Sequence, residues 1–485
     1  MNEILKLTAT EISEKYKSKE LTCTEVTKAF LDRSEATNAE LNSYVTITRE
    51  SALATAAIVD KKITNNEPLG LLEGVPIAIK DNMCTDGVTT TCSSKMLSNF
   101  IPSYNATVIE KIIKNNMPIL GKTNMDEFAM GSSTETSFFG VTKNPWNTST
   151  VPGGSSGGSA VVISSLQAPL SLGSDTGGSI RQPASFCGIV GMKPTYGLVS
   201  RYGLIAFASS LDQIGPFSKN VEDSASLLSV ISGHDAKDST SQPIGSQDYS
   251  NIEDQKEIKI GLPKEFFDNL QGETAEFYKG IISKLADNGI MLEETTLPSI
   301  DQGIATYYII APAEASSNLS RFDGVRYGHR SEKANSLVEM MGNTRSEGFG
   351  PEVKRRILIG TYVLSSGYYD AYYKKAQQVR TIMKQDFQDA FKKYDVILSP
   401  TTPTPAFNLG EKNNPLEMYL NDIMTIPANI AGIPALSLPC GTINKLPMGL
   451  HLMGNILEEK KLFAISKRIE SILDFDITNQ YWSKS

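Results

Sequence analysis

Hydrophobic positions along the chain change their spacing twice. From about residue 8 to 60 the apolar residues recur at helical intervals, with Val26, Phe30 and Leu31 on one face. Thr8 with Glu11, and Thr22 with Glu25, have the spacing of a capping box, in which side chain and backbone at a helix start satisfy each other. Residues 44–48 read as a short strand inside this helical region. From about 70 to 230, short apolar runs (75–79, 118–120, 170–172) alternate with Gly/Ser-rich turns and helical stretches, the texture of an α/β layer with buried strands. Residues 234–257 are polar and turn-rich and read as a surface excursion. Residues 258–262 predict a strand and 273–288 an amphipathic helix. Residues 335–395 are mostly helical, and 394–398 return to strand. The prolines in 401–405 and 427–439 predict loops. No internal repeat or low-complexity linker divides the chain, so the pattern predicts one large domain over 1–485. Its parts are an N-terminal helical segment (about 1–65), a central core (about 66–232), the excursion (about 234–257) and a C-terminal part (about 258–485).

Composition narrows the function classes. Of 485 residues, 40% are hydrophobic and 21% charged, which excludes a disordered or fibrous chain. The net charge of -8 makes the chain a poor partner for a phosphate backbone unless a basic partner supplies the contact. The first residues lack a basic stretch followed by an apolar one, and no run of about 18 apolar residues exists, so neither a signal peptide nor a membrane span is expected. Five scattered cysteines without a C-x-x-C pair predict reduced thiols in the cytoplasm and no zinc site. Only three histidines occur, His234, His329 and His451.

The densest signal is Gly153-Gly154-Ser155-Ser156-Gly157-Gly158-Ser159, followed by Gly173-Ser174-Asp175-Thr176-Gly177-Gly178-Ser179-Ile180-Arg181. Gly/Ser tracts are commonly linkers, but here apolar residues return at once in 160–163. Glycines also let backbone N–H groups approach a ligand closely. Three familiar motifs fail. The G-x-S-x-G formed by Gly153 to Gly157 lacks the preceding strand of a nucleophile elbow, since residues 147–152 are turn chemistry. Gly121-Lys122-Thr123 ends like a P-loop, but the required first glycine is Asn116. No G-x-G-x-x-G is present. A serine nucleophile needs a base, and no histidine lies near either tract. A lysine serves if burial neutralises it. Lys80, which closes the apolar run 75–79, has the right placement, although a strand-end lysine reaching out to water has the same pattern.

Together the two tracts resemble the amidase signature family, from Gly153 through Ser179-Ile180-Arg181-Gln182-Pro183-Ala184. Gly74-Val75-Pro76-Ile77-Ala78-Ile79-Lys80-Asp81 is similar to that family's lysine segment. The resemblance implies an α/β fold with a mixed β-sheet core covered by helices on both faces, and a Ser-Ser-Lys triad. Ser179 would be the nucleophile, Ser155 the bridging serine and Lys80 the base. The backbone N–H groups of Thr176, Gly177 and Gly178 would form the oxyanion hole, the electrostatic device that stabilises the tetrahedral intermediate. Asp175 and Arg181 would fix the loop.

Further segments narrow the resemblance. Asn124 through Glu135, Ser346 through Arg356, and Ser365 through Tyr373 resemble the glutaminase branch of the family, which serves glutamyl-tRNA(Gln)/aspartyl-tRNA(Asn) amidotransferases. A chain of that branch hydrolyses glutamine and passes ammonia to a partner that binds tRNA and uses ATP and Mg, with a small third chain bracing the pair. The chain itself would hold no cofactor and no metal. The resemblance assigns Tyr307, Arg356, Asp422 and Ser132 to glutamine binding, with Arg356 on the α-carboxylate and Asp422 on the α-ammonium. Read from the residues alone, Lys354-Arg355-Arg356 is a solvated basic face and Asp422 a helix cap. Tyr368, Tyr369, Tyr372 and Tyr373 read as packing or interface. Two competing readings stand beside this one: a stand-alone amidase acting on another small amide, and a non-catalytic assembly protein that would have no chemical use for all three of Lys80, Ser155 and Ser179.

Overall fold

The computed structural model describes residues 3–483 except 254, 256, 269 and 413. Both capping boxes form. Thr8 Oγ1 accepts the Glu11 N–H at 3.1 Å while the Thr8 N–H donates to the Glu11 carboxylate at 2.7 Å, and Thr22 with Glu25 repeats the arrangement. They open the helices Ala9–Lys17 and Cys23–Leu41.

Eleven strands then form one continuous mixed sheet: β1 (Tyr44–Ile47), β2 (Ile77–Lys80), β3 (Ile119–Thr123), β4 (Leu170–Asp175), β5 (Val190–Lys193), β6 (Gln213–Ser218), β7 (Lys259–Pro263), β8 (Met291–Thr295), β9 (Val396–Pro400), β10 (Ala435–Ile443) and β11 (Leu446–Met453). Their order is β1-β3-β2-β4-β6-β5-β10-β11-β9-β7-β8. β2 runs parallel to β3 and β4, and β7 parallel to β8 and β9, while the central strands β4, β6, β5, β10, β11 and β9 pair antiparallel. Helices cover both faces, and neighbouring residues of one strand show it. Val396 and Leu398 enter one apolar cluster together with the helices Gly157–Ser164 and Glu459–Leu473. Ile397 between them enters a second cluster with the helices Gly303–Asn318 and Lys375–Ala390. The period of two along a strand sends alternate side chains to opposite faces.

The predicted excursion at 234–257 has no helix or strand among its described residues. It is not wholly superficial, because Tyr249 is buried near Phe463. Its positions 254 and 256 lie outside the described residues.

The loop predicted at 427–439 is a correction. Residues Ile426–Ala431 are a buried helix, and β10 starts at Ala435. Each proline sits where its missing N–H costs little. Pro427 is in the first turn of the helix, and Pro439 lies beyond the β5 pairing, at the irregularity where β10 shifts register against β11. These prolines belong to the core and not to a docking surface. The tyrosine group is also corrected in part. Tyr368, Tyr369 and Tyr372 are exposed and flank or enter a π-helical turn, Asp370–Lys374, so they do not pack the core.

Candidate active site

Lys80 is the last residue of β2 and is fully buried. Its amine is enclosed by the Ser155 hydroxyl at 2.8 Å, the Ser156 hydroxyl at 2.7 Å, and the Ser174 hydroxyl and carbonyl at 2.9 and 3.2 Å. The reading of Lys80 as a lysine reaching out to water is therefore excluded. Burial pushes its ammonium down to about 7, against the opposing pull of Asp126 and Asp175. Near neutral pH a large fraction of the side chain is thus a free amine with a lone pair. Ser156 donates its own hydrogen to the Ser174 carbonyl at 3.1 Å. Ser155 is left able to donate into that lone pair.

The first Gly/Ser tract is shaped around this lysine. No strand precedes it, which excludes the nucleophile elbow; Gly157–Ser164 is a helix opening directly from the tract. The Gly154–Ser155 peptide is cis. A Cβ on Gly154 would stand 2.1 Å from Asp126 Oδ2, so only glycine lets the tract lie this close to the buried carboxylate. The Asp126 N–H donates to the Ser155 carbonyl at 3.1 Å, and its carboxylate accepts the Thr134 N–H at 2.9 Å and the Thr136 hydroxyl at 2.9 Å. Asp126 thereby fixes both Ser155 and the loop that carries Ser132.

Ser179 follows β4 and precedes the helix Arg181–Cys187. Its carbonyl accepts the Ser156 N–H at 3.2 Å, joining the second tract to the first. Lys80 and Ser155 are fully buried, whereas Ser179 retains 8% exposure, so of the three it is the one open to a ligand. Asp175 and Arg181 hold the loop as expected. Their bidentate pair, at 3.0 and 3.1 Å, is completed by Asn429, His451 and the Thr425 carbonyl. Burial raises the Asp175 carboxyl, but the Arg181 guanidinium overrides it and leaves the group far below the usual carboxylate range. Buried His451 is part of this brace.

The oxyanion donors need one correction. The Gly178 N–H is donated to Asp175 Oδ1 at 2.8 Å and is not free. Among the described residues, the N–H groups of Thr176, Gly177 and Ser179 have no protein acceptor. Gly178 has another duty: at φ +138°, a Cβ there would stand 2.1 Å from Thr425 Oγ1, so it must be glycine for the turn to pack.

The four residues assigned to glutamine binding converge on this loop. A Cβ on Gly177 would lie 2.7 Å from the Tyr307 ring, which places that ring directly against the turn before Ser179. The Ser132 hydroxyl donates to Asp422 Oδ2, although 290 residues separate them. Arg356 is buried and not on a solvated face: within Lys354-Arg355-Arg356 it is the one turned inward, over Phe207, Tyr308 and Tyr419 at 5.3–5.5 Å. Asp422 is likewise buried in a one-turn 3-10 segment and caps no helix through its side chain. Burial pushes its carboxyl up to about 7, opposed by the Ser132 hydrogen bond and Arg356. Ser132, Glu352, Arg356 and Tyr419 line a cavity of about 440 Å³. A second cavity of about 380 Å³, walled by Phe266, Ile300 and Met424, contains none of these residues.

Sequence reasoning missed Asp126, Ser156, Ser174 and Glu352. Ser156 and Ser174 stood inside the two tracts, and the need of a buried amine for several polar neighbours was the signal that singles them out. The failed P-loop is explained as well. Lys122 is buried in β3, donating to the Met83 carbonyl at 2.6 Å and Thr90 at 2.8 Å, with Asp81 at 3.8 Å. Among the described residues no three His, Cys, Asp or Glu side chains group as a metal site, and no helix is long and apolar enough to cross a membrane.

A mixed sheet that carries a buried lysine against a serine, beside a glycine-rich turn with free N–H donors, defines an amide-hydrolysing α/β enzyme that dispenses with histidine. The chain belongs to the Amidase family, whose model matches residues 25–463. Among its relatives, the glutamyl-tRNA(Gln) amidotransferase A-chain protein of Desulforamulus reducens is 55% identical over 98% of both chains, and that of Carboxydothermus hydrogenoformans is equally similar. The crystal structure of the corresponding glutamyl-tRNA(Gln) amidotransferase protein from Thermotoga maritima is 40% identical, with a TM-score of 0.78 over 96% of this chain and 95% of that one. The peptide amidase of Stenotrophomonas maltophilia, 26% identical, shares the fold with a TM-score of 0.81 over 96% of this chain and 97% of that one.

Proposed function

We propose that this chain is the glutaminase component of a tRNA-dependent amidotransferase, hydrolysing glutamine to glutamate and ammonia through Ser179, Ser155 and Lys80. The observation that carries the reading is the buried Lys80 amine, lowered to about 7 and 2.8 Å from Ser155. Neutral Lys80 takes the Ser155 proton as Ser155 takes that of Ser179, and Ser179 Oγ bonds to the side-chain amide carbon of glutamine. The N–H groups of Thr176, Gly177 and Ser179 stabilise the oxyanion. The proton held by Lys80 returns through Ser155 to the leaving nitrogen, and ammonia departs. Water then attacks the γ-glutamyl ester by the same relay, releasing glutamate and restoring Ser179. Arg356 holds the α-carboxylate of glutamine, Asp422 and Ser132 its α-ammonium, and Tyr307 forms the wall beside the reacting carbon.

Ammonia passes to a partner subunit that binds tRNA and uses ATP with Mg to activate the misacylated end, and a small third chain braces the pair, in the cytoplasm. A chain with net charge -8 leaves most tRNA contact to that partner. The similarity to glutamyl-tRNA(Gln) amidotransferase proteins over nearly the full length supports this assembly. The test is glutamate release by the chain alone and after titration with its partner subunits and charged tRNA. Activation on assembly is expected; full activity alone, unchanged by partners, would indicate a stand-alone amidase.

The clamp has its own test. Arg356→Ala is expected to lower kcat/KM for glutamine roughly 100-fold, since a buried carboxylate left without its charged partner costs about 3 kcal/mol. Asp422→Ala is expected to act similarly from the ammonium side. Butyramide, which lacks both α-groups, should be hydrolysed equally by wild type and variants. Equal losses on both substrates would make these residues supports of the fold.

The pH profile follows from the two groups near 7. Lys80 must be neutral to act as base, so activity rises as pH climbs through about 7. Asp422 must be ionised to hold an ammonium, which acts in the same direction. Below pH 6, log kcat/KM for glutamine is therefore expected to fall with a slope approaching two, and for butyramide with a slope of one. A profile flat from pH 6 to 8 on both substrates would remove the neutral-lysine base.

A further inference from the structure

We propose that Glu352 is a positioning residue for glutamine selection, holding the Arg356 guanidinium by its inner nitrogen so that both terminal nitrogens are left to the substrate carboxylate. The inference rests on the glutaminase reading above. Glu352 and Arg356 stand one turn apart on the helix Pro351–Val363, whose inward face also carries Val353 and Gly360. Arg356 Nε donates to Glu352 Oε1 at 2.8 Å. Among the described residues neither terminal nitrogen of Arg356 has a protein acceptor, although the side chain is buried and lines the cavity. The planar guanidinium has one geometry for an edge-on bidentate contact with a carboxylate. Fixing Nε and the three surrounding rings fixes that edge.

Glu352 does more than accept from Arg356. The same Oε1 accepts the Tyr419 hydroxyl at 2.8 Å, and Tyr419 stacks on Tyr308 with ring centres 3.9 Å apart. Both rings belong to the aromatic box around the guanidinium. Its other oxygen pairs with Arg355. Charge balance follows: two guanidinium groups against one carboxylate leave one positive charge beside the cavity, matched to one substrate carboxylate. Burial raises the Glu352 carboxyl, but Arg356 outweighs it and keeps the group ionised. A second helix-level anchor supports the arrangement, because the Gly350 N–H before this helix donates to the Glu127 carboxylate at 2.8 Å.

The experiment is steady-state glutamine hydrolysis by the assembled complex carrying Glu352→Ala, Glu352→Gln or Tyr419→Phe. Glu352→Ala is expected to raise KM for glutamine about tenfold with kcat within twofold. Glu352→Gln, whose amide oxygen still accepts from Arg356 Nε, should restore KM to within about threefold of wild type. Tyr419→Phe should give a smaller rise, and it leaves the helix untouched should the alanine variant fail to fold. In an Arg356→Ala background, Glu352→Ala should add no further loss, as expected for one coupled unit. An unchanged KM, a fall in kcat alone, or additive losses in the double variant would overturn the positioning role while leaving the glutaminase reading intact. A wild-type complex that releases no glutamate from glutamine would overturn the glutaminase reading and this inference with it.

Discussion

Ser179→Ala is expected to remove glutamine-dependent activity by about six orders of magnitude, because the residue forms the covalent bond on which both half-reactions depend. Alanine deletes one oxygen from the turn, and the structure gives the Ser179 hydroxyl no bracing role: the loop is held by the Ser179 carbonyl, the Gly178 N–H and the Asp175–Arg181 pair. The variant should therefore fold and assemble normally. Transfer from added ammonium in the assembled complex should survive, since the acceptor chemistry belongs to the partner. Glutamate release and ammonium-supported amidation, measured on the same preparation, separate the two outcomes. Near-normal glutamine hydrolysis by Ser179→Ala would place the nucleophile elsewhere.

Lys80→Ala is the second large effect, expected at about four to six orders of magnitude in kcat/KM. Without the amine, Ser155 has nowhere to send a proton, and the hydroxyls of Ser156 and Ser174 lose their shared partner in a fully buried space. The loss has two parts. One is chemical; the other is structural, from a cavity lined by unpaired polar atoms. Lys80→Met separates them, because it fills the volume without supplying a base. Comparable inactivity in both variants, with Lys80→Met unfolding near the wild-type temperature, assigns the effect to proton transfer. Substantial glutaminase activity in Lys80→Met would identify another base.

How much of this was legible in the sequence varied with the range of the interaction. Local rules sufficed for the two capping boxes and for the strand ending at Lys80, where spacing and residue type act over a few positions. The Gly/Ser tracts were legible as a site because close backbone approach demands glycine, as at Gly154 against Asp126. What stayed hidden depended on distant partners. The burial of Arg356 is decided by Phe207, Tyr308 and Tyr419, none of them near it in sequence. Asp422 looked like a cap because its partner, Ser132, lies 290 residues away. The prolines at 427 and 439 suggested loops because the tertiary setting that tolerates them, a first helical turn and a register shift, leaves no local mark. The occupied Gly178 N–H depends on where Asp175 points, which no motif specifies.

The central claim is that Ser179 carries the acyl group, and trapping that intermediate tests it most directly. The assembled complex is mixed with glutamine, quenched in acid within its first turnovers, digested, and read by peptide mass spectrometry. The account predicts a γ-glutamyl ester on the peptide containing Ser179, absent in Ser179→Ala and reduced below detection in Lys80→Ala. A γ-glutamyl group on any other residue, or its continued formation in Ser179→Ala, would contradict it.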